Sequence, residues 1–88
     1  MTTAPQRGDF RHRQPLRVRW AEVDPQGIVF NGNYLTYADV GITEYFRAIG
    51  VAFPGELAAD GAEFFAVRTL LNYLAPAHFD DLLEVGIR

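Results

Sequence analysis

Between residues 34 and 49 apolar side chains recur at three- and four-residue steps, and nothing else limits the fold of so short a chain as strongly. Leu35, Ala38, Ile42, Tyr45 and Ile49 form one stripe with Phe46 beside it, and Thr36, Asp39, Thr43 and Arg47 form the opposite one. The spacing predicts an α-helix roughly 25 Å long. A chain of 88 residues has room for a single core, so a helix of that length needs a broad surface to cover it. Gly41 costs this helix about 1 kcal/mol relative to Ala, which points to close packing at that turn. Gly50 follows as a C′ residue, and Pro54-Gly55 confirms that the chain has left the helix.

Strand signals flank the helix. Apolar and charged residues alternate through Leu16-Arg17-Val18-Arg19-Trp20, which predicts a half-buried strand with Leu16, Val18 and Trp20 inward. Residues 1–14 are polar and read as a flexible lead-in, leaving 15–88 as the folded domain. Residues 56–61 read as a loop. From 62 to 74 the chain is apolar on both alternating faces, with Phe65, Val67, Leu71 and Tyr73 on one and Phe64, Ala66, Leu70 and Leu74 on the other. One long central strand is expected there. Residues 75–81 turn the chain, and Leu82 opens a further strand in which the sequence stops. Three strands and one helix leave a sheet edge open, to be filled by further sequence or by another chain.

Composition excludes several classes. An apolar fraction of 49% is too high for a disordered chain. Residues 1–14 carry Arg7, Arg11 and Arg13 against Asp9 alone, so the net charge of −3 divides into +2 there and −5 on the rest. A nucleic-acid-binding body needs a basic face and does not fit. With no cysteine, disulfides and thiolate zinc sites are ruled out. His12 and His78 lie far apart without acids at ligand spacing, so no metal site is expected. The N-terminus has no apolar signal region and no run approaches a membrane span. A cytoplasmic protein is the expectation.

Chemistry concentrates before the helix. Asp24-Pro25-Gln26-Gly27 carries Asp at the first turn position, Pro fixing φ at the second and a permissive Gly at the last. Ile28-Val29-Phe30 reads as a short buried link. Asn31 or Asn33 can then cap the helix by accepting one of its orphan N–H groups. A carboxylate at Asp24 thus lies beside the positive end of a helix dipole, where N–H groups near Asn31 can stabilise the oxyanion of a thioester or ester. Asp24 serves there as base or nucleophile. Tyr34 and Tyr37 fit the wall of an acyl pocket and fit core packing equally well. Asp39 and Glu44 read as solvated or paired with Arg47, and Glu63, His78, Asp80 and Asp81 as structural. No nucleophile elbow, phosphate-cradling glycine loop or Walker lysine is present.

These residues resemble a known family. The strand at Leu16, the run Asp24-Pro25-Gln26-Gly27-Ile28-Val29-Phe30 and the helix opening Asn33-Tyr34-Leu35 are similar to the hotdog-fold acyl-CoA thioesterases. The likeness is to the 4-hydroxybenzoyl-CoA thioesterase type and to related bacterial short acyl-CoA enzymes. Val67-Arg68, Asn72-Tyr73-Leu74-Ala75-Pro76-Ala77 and Asp81-Leu82-Leu83-Glu84-Val85 resemble the family's second and third strands, so the likeness covers residues 15–88. It implies an α+β hotdog fold, an antiparallel sheet wrapped around one long helix, with the last strands lying beyond this sequence. It also implies assembly as a homodimer or homotetramer. The catalytic Asp falls on Asp24 and the N–H that polarises the carbonyl on Asn31, with Gly27, Val29 and Tyr34 as expected substrate contacts. Some relatives carry His or an aromatic where this chain has Asn31. The implied reaction is hydrolysis of an acyl- or aroyl-CoA to acid and CoA, without cofactor, metal, membrane or nucleic acid. The rival reading is a non-catalytic acyl-CoA-binding or oligomerisation module on the same fold.

Overall fold

A computed structural model describes residues 5–51 and 67–88. Within them the order of elements is a short 3₁₀ turn Arg7–Asp9, strand β1 (His12–Arg17), a second 3₁₀ turn Trp20–Glu22, helix α1 (Asn33–Ala48) and strand β2 (Leu82–Ile87). The strands pair antiparallel from His12 opposite Ile87 to Arg17 opposite Leu82, and α1 packs across both. This one-helix, antiparallel arrangement is the α+β architecture expected of the chain. The expected ends at Pro54-Gly55, the loop at 56–61 and the first part of the long strand lie outside the described residues.

β1 starts four residues before the expected Leu16 and takes in the end of the polar lead-in. The alternation does run through it, with His12, Gln14 and Leu16 half-buried and Arg13, Pro15 and Arg17 exposed. Proline inside a strand is confined to edges because it cannot donate to a ladder. Pro15 meets that condition, since among the described residues β1 pairs only with β2. The strand ends where the alternation still continues. Val18 is 1% exposed and central to the core, but Trp20 is 72% exposed, against expectation. The chain coils at Trp20–Glu22, which breaks the two-residue period and turns the indole out onto Phe79, edge-on with centroids 5.2 Å apart.

Two further expectations are corrected. Residues 67–74 form no strand, and Val67, Leu70 and Leu74 are exposed. A strand exists only where a ladder partner lies alongside it, and among the described residues none does. The helix is also turned relative to the predicted stripe. Tyr37 and Gly41 are its buried residues, whereas Leu35, Ile42 and Ile49 face outward. Gly41 explains the rotation. A Cβ built there would lie 2.4 Å from Cγ1 of Val85 and 3.1 Å from Cδ1 of Ile87, so the helix meets β2 on its glycine.

Helix ends follow from the sequence to different degrees. At the C-terminus Gly50 adopts φ +81°. Its N–H donates to Arg47 O at 3.2 Å and that of Val51 to Phe46 O at 2.9 Å, the paired bonds of a Schellman cap. At the N-terminus Gly32 is the cap residue and neither asparagine caps the helix. The Asn33 amide reaches back instead, its Nδ2 donating to Glu22 O at 2.8 Å.

Glu22 holds this junction. It is a buried charge, 8% exposed, next to a core of Val18, Val29, Tyr37 and Ala77. Its Oε1 accepts the Arg19 N–H at 2.9 Å and the Tyr37 hydroxyl at 2.8 Å, and its Oε2 accepts Arg19 Nε at 2.7 Å. Its backbone carbonyl takes the Phe30 N–H at 3.0 Å as well as the Asn33 amide. Burial pushes the carboxyl pKa up, but the hydrogen bonds from Arg19 and Tyr37 outweigh it and hold the group below its ordinary value. Tyr37 moves the other way, since burial and then the Glu22 carboxylate both raise its pKa.

Two outcomes are expected. Gly41→Ala lowers stability by about 1–3 kcal/mol in urea unfolding, because overpacking exceeds the gain in helix propensity, and Val85→Ala in the same chain recovers part of the loss. A neutral Gly41→Ala would contradict the close approach. Glu22→Gln costs about 1.5–3 kcal/mol at pH 7. Because the folded Glu22 pKa lies below the ordinary 4.5, its contribution is complete above pH 4.5 and disappears as acid carries the pH through the folded value. The stability gap between wild type and Glu22→Gln therefore narrows below pH 4.5; a gap constant from pH 7 to pH 3 refutes the assignment.

Candidate active site

The turn at 24–27 forms as its sequence dictates. Gly27 donates its N–H to Asp24 O at 2.9 Å and adopts φ +81°, and Asp24 donates to Ile28 O at 2.8 Å. That is a type I turn followed by a left-handed residue, which needs glycine. Val23 bridges Val29 across the hairpin. Residues 77–79 flank its second arm: Ile28 bridges His78, Val29 donates to Ala77 O at 2.8 Å, and Phe79 donates to Gly27 O at 3.3 Å.

Asp24 is half-buried in this turn. Its Oδ1 accepts the Gln26 N–H at 2.8 Å, and among the described residues no donor reaches its Oδ2. Two residues after Val29 the chain arrives at Asn31. The Asn33 N–H donates to Phe30 O at 2.9 Å and that of Tyr34 to Asn31 O at 3.4 Å, while Leu35 donates to Gly32 O at 3.3 Å. The Asn31 and Gly32 N–H groups have no acceptor among the described residues. They are the unsatisfied donors expected at the positive end of a helix.

Asn31 borders a cavity of about 330 Å³ walled by Ile28, Val29, Tyr34, Tyr73, Leu74, Ala75 and Pro76. The Tyr34 ring lines it, edge-on to Tyr73 at 5.5 Å and to Tyr37 at 5.9 Å, and its hydroxyl accepts the Ala77 N–H at 3.2 Å. A second cavity of about 420 Å³ continues past Tyr34 between the helix and β2, along Tyr37, Ala38, Leu83 and Val85. Of the residues expected at a site, Asn31, Val29 and Tyr34 thus meet at one cavity. Val29 does double duty, being 2% exposed in the core. Asp24 and Gly27 do not border it; they form the turn whose second arm is its wall.

Glu63 lies outside the described residues, and Glu44 and Asp80 take the structural places expected of them. Arg47 is paired with Glu44, and Asp80 holds φ +69° in the turn before β2, its carbonyl accepting Arg17 Nη1 at 2.7 Å. His78 has an acidic neighbour that its sequence spacing did not suggest. Its backbone N–H donates to Asp81 Oδ2 at 2.8 Å, and its Nδ1 lies 3.7 Å from the same oxygen. Among the described residues no group of three potential metal ligands forms, and no helix is long and apolar enough to cross a membrane. Sequence reasoning passed over Glu22, although an acid three residues after Arg19 in an apolar setting was a signal for it. It also had no means of pairing Tyr73, whose hydroxyl donates to Asn31 O at 3.3 Å across 42 residues of sequence.

The chain is 33% identical over 72 residues to an acyl-CoA thioesterase, YbgC, of Haemophilus influenzae, covering 81% of this chain and 52% of the relative. It is 30% identical over 73 residues to the acyl-CoA thioester hydrolase YbgC of Escherichia coli O6:H1, covering 83% of this chain and 54% of the relative. The chain therefore spans about half the length of the curated relatives it matches. Residues 26–88 match the sequence profile of the Thioesterase superfamily, a stretch that runs from the turn through helix and cavity to β2, and the chain belongs to that superfamily, with its hotdog fold.

Proposed function

We propose that the protein containing this chain is an acyl-CoA thioesterase that hydrolyses an acyl- or aroyl-CoA to the free acid and CoA. The observation that carries this reading is the pair of N–H groups at Asn31 and Gly32, without an acceptor among the described residues, beside an apolar cavity in a chain of the Thioesterase superfamily. An acyl group seated against Tyr34 and Tyr73 brings its carbonyl oxygen to the helix N-terminus, where donors fixed in advance stabilise developing negative charge. Asp24 then acts on the carbonyl carbon, either by taking a proton from an attacking water or by attacking directly. In the first case the water oxygen bonds to carbon, the tetrahedral oxyanion collapses, and the C–S bond breaks to release the CoA thiolate, which takes up the proton. In the second the Asp24 carboxylate bonds to the carbonyl carbon, and the C–S bond breaks to release the CoA thiolate and leave an acyl-carboxylate anhydride. Water then cleaves the anhydride to the free acid and the carboxylate, giving up a proton that the thiolate takes up.

Each part has a clear chemical task. Asp24 Oδ1 is held by Gln26, which orients the carboxylate and leaves Oδ2 to accept a proton. The two tyrosine rings favour flat or short acyl groups, so the reading includes aromatic thioesters such as the 4-hydroxybenzoyl type. No metal or organic cofactor enters the scheme. The reading extends to a cytoplasmic homodimer or homotetramer, with the acyl-CoA as its small-molecule partner.

In the full-length protein, Asp24→Asn abolishes turnover of a panel of acyl- and aroyl-CoA thioesters without lowering the melting temperature. Asn31→Ala keeps kcat within a few-fold of wild type, since the backbone donor survives; losing such a donor costs about 10²–10³ in kcat. Wild-type rates in Asp24→Asn would reject the mechanism. A stable oligomer that binds CoA esters without cleaving them would point to a binding module instead.

A further inference from the structure

We propose that Glu22 is a positioning residue for the oxyanion donors, using one side chain and one carbonyl to fix the backbone on both sides of Asn31 and Gly32. The proposal rests on the reading of those N–H groups as the oxyanion site. Its basis is the way Glu22 brackets them. Upstream of the pair, the Phe30 N–H is tied to Glu22 O at 3.0 Å. Downstream, the Asn33 side chain is tied to the same oxygen at 2.8 Å, and Tyr37, one helical turn further on, to Glu22 Oε1 at 2.8 Å.

Asn31 and Gly32 are themselves exposed, with N–H groups that no acceptor among the described residues holds. Their direction is set from outside, through their neighbours. The carboxylate is in turn oriented by Arg19, which supplies its own backbone N–H and its guanidinium. A donor that must meet an oxyanion at 2.7–3.1 Å is sensitive to small displacements, so a loosened bracket weakens the transition state more than it weakens substrate binding. Glu22 touches none of the residues expected to contact substrate through its carboxylate, and it does not border the cavity. Its effect is therefore on kcat rather than KM.

The test uses full-length protein with Glu22→Gln, which keeps an acceptor for Tyr37, Glu22→Leu, which does not, and Tyr37→Phe, which removes the hydroxyl. Amide hydrogen exchange at Phe30 and Asn33, the hydrogen-bonded amides on either side of the donor pair, is expected to accelerate tenfold or more in Glu22→Leu, while Gln14 and Val85 in the strand ladder stay within twofold. The kcat for a cleaved thioester is expected to fall in the order wild type, Gln, Leu, by at least thirtyfold at the end, with KM within threefold. Tyr37→Phe should fall between wild type and Leu on both measures. Unchanged exchange at Phe30 and Asn33 would overturn the proposal, as would acceleration spread evenly over the ladder, or kcat within threefold of wild type in folded Glu22→Leu. Failure of the thioesterase reading looks different: wild type is inert, or Asp24→Asn is fully active, while local exchange at Phe30 and Asn33 still responds to Glu22→Leu.

Discussion

The buried Glu22 carboxylate is the constraint on which this arrangement depends. Removing a charge from water carries a penalty of several kcal/mol unless its lone pairs are filled. Here Arg19 and Tyr37 fill them. Satisfying the group ties the end of β1 to the second turn of α1, and its backbone carbonyl ties in the segment between. A network of this kind is worth little if half complete. Its members come from separate elements, so it selects one docking of helix on sheet.

That docking is refined by shape. Gly41 lets the helix axis approach β2 so closely that Val85 and Ile87 occupy the space a side chain would need. Polar satisfaction at one end and steric fit in the middle together fix both the rotation and the depth of α1. The consequence is an unusual distribution of apolar surface. Tyr37 is buried, yet Leu35, Ile42 and Ile49 on the same helix face outward.

Much of this was legible in the sequence, because the signals were local. The turn at 24–27 formed as read, since Pro25 fixes its own φ, the Asp24 carboxylate accepts the Gln26 N–H and Gly27 admits the left-handed conformation. Gly50 ended the helix by admitting the same conformation. The helix itself, and the strand opened by Leu82, followed from periodicity. What failed were inferences about facing. The alternation through Trp20 predicted an inward indole, but a 3₁₀ turn organised by Glu22 intervened. The apolar stripe at Leu35 and Ile42 was real, yet Gly41 rather than the bulkiest residues chose the contact face. The strand expected over 62–74 had suitable composition, and its described part, 67–74, lacked a ladder partner among the described residues. At the site, the turn and the helix start were readable residue by residue. The bracket around Asn31 and the Tyr73 wall were not, because both depend on contacts between distant segments.

Pro15 carries a consequence for how copies of this protein meet. Val18 donates its N–H to the O of Asp81, the residue just before β2, so by the alternation of an antiparallel ladder the ring nitrogen of Pro15 lies on the opposite, outer margin of β1. That margin has a gap in its row of donors at mid-strand, between the exposed side chains of Arg13 and Arg17. An intruding strand would find a missing hydrogen bond and two positive charges where it needs a continuous template. Among the described residues, this margin of β1 is therefore a poor template for runaway strand addition and fibril growth.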